Sequence, residues 1–130
     1  MTPAERAAER LLRDKEDLAR AITDALYRER PGLLARYGAA GRDKCLQDMR
    51  YNLEHLAPAV ALEDPALFAS YVRWLAGLLA ARDIPADDVA RSLALTEEAI
   101  AARFDPDQAA LTRPALAAGR AELPPDAAAR

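Results

Sequence analysis

The chain has 130 residues, 52% hydrophobic, 5% aromatic and 30% charged, with a formal net charge of −3 and a pI near 5.2. That length builds one domain around one core, and the acidic balance excludes the basic stripe of a nucleic-acid-binding surface. No apolar run approaches the roughly 20 residues of a membrane-spanning helix, the N-terminus lacks the apolar centre of a signal peptide, and the single cysteine excludes an internal disulfide. The expected location is the cytoplasm, with no membrane partner.

Alanine, leucine, arginine and glutamate dominate, alternating β-branched runs are absent, and the chain reads as all-α, a bundle of about 5–6 helices. Thr2 and Glu5 have the form of a capping box with Pro3 at the first helical position. The helix they open is expected to reach Glu29, burying Leu11, Leu12, Leu18, Ile22 and Leu26, and to stop before Pro31. A short helical turn over residues 31–37 precedes a loop marked by Gly38 and Gly41.

The central helix is expected over residues 42–62, with Pro58 as a kink near its end. Asp64–Pro65 is a cap signal for the next helix, expected over residues 65–82. Leu67, Phe68, Tyr71, Val72, Trp74, Leu75, Leu78 and Leu79 predict burial on much of its circumference. Ile84–Pro85 opens another helix, with Val89, Leu93, Thr96, Ile100 and Phe104 on its inner face. Asp105–Pro106 repeats the cap, and Pro114 is expected to break the segment beyond it. One domain over residues 1–120 and a frayed tail over 121–130 complete the expectation.

Chemistry concentrates on the central helix. At 100° per residue, Leu46, Met49, Leu53, Leu56 and Val60 share an apolar face, and Cys45, Asp48, Asn52 and His55 lie on its shoulder. A Cys45–His55 dyad has poor geometry, because ten residues of helix span ~15 Å. With one histidine and one cysteine there is no zinc set, and without strands there is no phosphate loop, so no enzyme is expected. A pocket between helices fits better, with Asp48 as its telling member. A carboxylate beside a core face needs a partner, and Arg42, Arg50 or the N–H groups of a tetrapyrrole would serve. Cys45 reads either as a small core residue or as a thiol able to add to an unsaturated substituent of the ligand.

The run Cys45-Leu46-Gln47-Asp48-Met49-Arg50-Tyr51-Asn52-Leu53 is similar to the chromophore helix of phycobiliproteins, whose pattern is Cys-x-Arg-Asp-x-x-Tyr-Tyr-Leu-Arg. Ala59-Val60-Ala61-Leu62-Glu63-Asp64 resembles that family's Ala-x-x-Ala-Gly-Asp loop, and the likeness extends over roughly residues 33–104. It implies a globin-like fold and a bilin cofactor, biliverdin- or phycocyanobilin-like, attached at Cys45, held at its pyrrole nitrogens by Asp48 and packed by Tyr51. Gln47, Asn52 and Glu54 depart from the pattern, so a bilin propionate would need Arg42, Lys44 or Arg50.

The segment before Cys45 is shorter than the paired N-terminal helices through which antenna subunits assemble. The resemblance therefore implies a compact relative linked to bilin biosynthesis, with biosynthetic enzymes as partners, or to carriage or light sensing. The expected pocket lies between the central helix and the next, adding Asn52, His55, Tyr71 and Trp74 to its walls. Two other readings stand beside it. One is haem with His55 as axial ligand. The other is a ligand-free interaction module resembling the non-haem globin domains of stressosome proteins, with Phe68, Tyr71 and Trp74 as core or dimer contacts. Homodimerisation is expected under each.

Overall fold

A computed structural model describes residues 1–125, and the last five positions of the expected tail lie outside them. The chain forms α1 (Pro3–Arg13), α2 (Lys15–Glu29), α3 (Gly32–Ala61), α4 (Pro65–Ala80), α5 (Ala86–Arg103) and α6 (Pro106–Arg120). The Thr2 hydroxyl accepts from the Glu5 N–H at 3.0 Å and the Glu5 carboxylate from the Thr2 N–H at 3.0 Å, so the capping box forms. Asp64 accepts from the Ala66 N–H at 3.2 Å, with Pro65 behind it. No helix among the described residues is long and apolar enough to cross a membrane.

Three boundaries differ from the sequence expectation. Asp14 (φ −96°, ψ 10°) interrupts the first helix and separates α1 from α2. Arg10 is pulled across the molecule at this point, bonding Asp14, Gln108 and the Arg103 carbonyl, while Leu12 turns outward and is not part of the core. The 31–37 turn and the central helix run together as α3, broken only at Gly38 (φ 70°), a conformation that side chains disfavour. Gly41 is helical, and a side chain there would strike Tyr37. α3 passes through Pro58 with helical backbone angles, and α6 passes through Pro114 unbroken. Each ring lies on the exposed side of its helix, and the neighbouring buried residues Ala57, Ala59, Ala115 and Leu116 anchor the flanking turns.

α1 and α2 pack on α3, α2 continues onto α5, and α4 lies along α6. Leu11, Leu18, Ile22, Leu53, Leu56, Phe68, Leu93, Ile100 and Leu116 meet in one core. Burying each such side chain contributes about 1.5–3 kcal/mol before entropy is counted. Gly119 lets α6 approach α4, since a methyl group there would lie 2.8 Å from the Phe68 ring. Leu123 is buried and Glu122 pairs with Arg73, so the turn after α6 stays packed on the bundle instead of fraying at Ala121. The described residues form a globin-like all-α bundle of six helices.

Two faces of α4 behave differently. Phe68, Val72 and Leu75 are buried, but Leu67 and Trp74 are 42% and 62% exposed. The expectation of burial around most of α4 therefore fails on the side facing away from α6. Among the described residues nothing covers that side beyond α3, where a groove opens.

Candidate functional site

The groove runs between α3 and α4 and has a volume of about 660 Å³, within the range of small-molecule sites. Asp48, Tyr51 and His55 form one wall, one helical turn apart. Leu67, Tyr71, Trp74, Leu75 and Leu78 form the other, and Lys44 and Arg82 close one end.

The aromatic lining is ordered from beneath. Tyr71 donates its hydroxyl proton to Asn52 Oδ1 at 2.6 Å in the core, and the Asn52 amide contacts Met49 Sδ at 3.8 Å. This fixes the Tyr71 ring. The His55 imidazole stacks on it at 4.0 Å with an interplanar angle of 11°. His55 Nδ1–H donates to the Tyr51 carbonyl at 2.9 Å, because a carbonyl can only accept. Trp74 stands 6.0 Å from Tyr71, tilted by 38°, with most of its indole in solvent.

Asp48 is the electrostatic centre. Its carboxylate is half-buried, and among the described residues nothing donates a hydrogen bond to it; Lys44 Nζ lies 3.9 Å away. Burial raises its pKa above the ordinary carboxylate value, while the Lys44 and Arg82 charges pull the other way. Burial also pushes the Tyr71 hydroxyl well up, helped by the negative charges of Asp48 and Glu54. A desolvated, underpaired carboxylate in an apolar groove suits a ligand that brings N–H donors.

The sequence-expected residues divide. Asp48, Tyr51, His55, Tyr71 and Trp74 come together around the groove. Asn52 is buried below it as the support of Tyr71. Arg42 lies toward α2, paired with Asp24 and packed over the Tyr27 ring. Arg50 is held by Glu16 through two bonds of 2.7 Å. Cys45 borders a second space of about 200 Å³ between α2, α3 and the α4–α5 corner, an inner cavity that opens to solvent about as widely as the groove, and is absent from the groove wall. Its thiol is pushed up to about 11, first by burial and then by the Asp48 charge, with the Thr23 hydroxyl pulling the other way. At neutral pH roughly one molecule in ten thousand would carry the nucleophilic thiolate. Arg82, which sequence reading passed over, stands at the end of the groove and makes no ion pair among the described residues. Its only sequence signal is a cation directly after a helix whose inner face is apolar.

Fold and groove together define a globin-like helical protein with an aromatic-lined cleft that carries an underpaired carboxylate. The chain matches the family described as phycobilisome protein over residues 4–123 and belongs to it. Members of that family bind bilin chromophores, which are linear tetrapyrroles. Among curated proteins no match is found.

Proposed function

We propose that this protein holds a bilin in the α3–α4 groove without a covalent bond and acts as its carrier rather than as an enzyme acting on it. The observation that carries the reading is the Asp48 carboxylate, half-buried beside a 660 Å³ groove and without a hydrogen-bond donor among the described residues. The pyrrole N–H groups of a bilin would meet that need. Arg82 and Lys44 are suited to its propionates, and Tyr51, His55, Tyr71 and Trp74 to its ring faces. The bilin itself supplies visible absorption.

Non-covalent binding is favoured over attachment through Cys45 for two reasons. The thiol borders the inner cavity, and it is protonated at neutral pH. The test is expression beside a haem oxygenase and a bilin reductase. The account expects a coloured protein whose colour leaves the chain on acid denaturation, both in the wild type and in Cys45→Ala. A colourless wild type would overturn bilin binding, and colour that stays with the denatured chain and is lost in Cys45→Ala would overturn the non-covalent mode.

A further inference from the structure

We infer that the inner cavity is a second binding site, for a small, mostly apolar molecule carrying one hydrogen-bond acceptor. The cavity has a volume of about 200 Å³. The space opens to solvent about as widely as the groove does, and its volume admits a single ring with a short substituent.

Its wall is apolar, made largely of Leu26, Leu33, Met49, Val89 and Ile84. The polar groups reaching it are almost all engaged. The Ser92 hydroxyl donates to the Val89 carbonyl at 2.7 Å, Asn52 is taken by Tyr71 and Met49, and Asp88 is paired with Arg30. Asp48, Lys44 and Arg82 belong to the boundary shared with the groove. The Tyr27 hydroxyl also has no hydrogen-bond partner among the described residues, but it is not shielded from solvent. Tyr37 is the shielded exception. Its ring lines the cavity, and its hydroxyl is shielded from solvent with no partner among the described residues.

The backbone fixes this arrangement. Gly38 at φ 70° breaks α3 immediately after Tyr37, and the Tyr37 side chain lies over Gly41. A buried hydroxyl without an acceptor costs free energy until something takes its proton. A carbonyl or ether oxygen on the bound molecule would do so. Cys45, protonated, acts at this site as a compact apolar contact. The site shares Lys44, Asp48, Leu75, Leu79 and Arg82 with the groove, but Tyr37 and Cys45 border only the inner cavity, so the Tyr37→Phe comparison tests it apart from the bilin reading.

The two methionines make the test direct, since Met49 lines the cavity and Met1 is exposed at the chain start. Bilin-free protein labelled at the methionine methyl groups is titrated with acetophenone and with cumene, which have nearly the same shape but differ in the acceptor. The expected result is a saturable shift of the Met49 signal, none of Met1, and acetophenone binding about three- to tenfold tighter than cumene. Tyr37→Phe should bring the two probes level while far-UV circular dichroism stays unchanged. Cys45→Met, which fills the cavity, should weaken both. If that variant fails to fold, the Tyr37→Phe comparison decides alone. A Met49 signal unmoved by either probe, or an acetophenone preference that survives Tyr37→Phe, would overturn the inference.

Discussion

The two sides of α3 are finished to different degrees. Toward α1 and α2 the helix buries Leu53 and Leu56 completely and closes the rim with ion pairs, Arg50–Glu16 at 2.7 Å and Lys15–Glu54 at 2.7 Å, together with Arg42–Asp24. Toward α4 it presents Asp48 without a hydrogen-bond donor among the described residues, His55 and Tyr51 partly in solvent, and a groove in place of packed side chains. The first side spends its polar groups on the fold. The second leaves them available, which is how a binding surface differs from a core.

The contrast is broken most strongly by removing a side chain from each face. Leu53→Ala should lose about 2–5 kcal/mol in chemical denaturation, because the cavity it leaves adds to the lost burial. Trp74→Ala, on the open face, should change stability by no more than about 0.5 kcal/mol while weakening bilin binding. Equal stability losses in the two variants would mean that the groove wall is part of the core.

A smaller effect sharpens the comparison through pH. Asp48 has a folded pKa above its unfolded value, so the folded state takes up the proton first. Relative to Asp48→Asn, the wild type should therefore gain stability as the pH falls through that raised value toward about 3.8. Glu16 runs the other way. Its bonds to Arg50 hold its pKa down to about 2, so its stabilisation is present above about 4.5 and is lost on acidification. Relative to Glu16→Gln, the wild type should lose its advantage over the same range. Denaturation curves taken between pH 7 and pH 3 check that the two differences move in opposite directions.

The smallest effect belongs to the rim. Arg50→Ala breaks a solvent-screened ion pair, so it should leave the denaturation midpoint nearly unchanged and bilin affinity unchanged. A loss of bilin affinity would show that Arg50 exchanges Glu16 for the ligand.

Much of the fold was legible because local chemistry and burial agree along the chain. Thr2–Pro3–Glu5 and Asp64–Pro65 signal helix starts whose caps form, and Val89, Leu93, Thr96, Ile100 and Phe104 lie buried at helical spacing as expected. Proline was misleading at position 114, where the ring points away from the core and the buried residues beside it hold the helix. Of the two glycines read as a loop, only Gly38 breaks the helix, and residue type alone does not distinguish it from Gly41.

Periodicity grouped Cys45 with Asp48, yet i and i+3 differ by about 60° around a helix. That angle is enough to turn the thiol to the inner cavity while the carboxylate borders both spaces. Arg82 was out of reach because its proximity to Asp48 depends on how α4 ends against α3. The inner cavity was equally invisible, since a void is a property of packing between helices and leaves no residue pattern of its own.

The most direct test of the central claim uses Trp74, the sole tryptophan, which lines the groove. Its fluorescence is followed during titration with biliverdin in the wild type, Cys45→Ala and Asp48→Asn. The account predicts saturable quenching at one bilin per chain, the same affinity in Cys45→Ala, and an affinity about 10- to 100-fold weaker in Asp48→Asn, the scale of hydrogen bonds to a charged group. Equal affinity in Asp48→Asn and the wild type, or no saturable quenching at all, would contradict it.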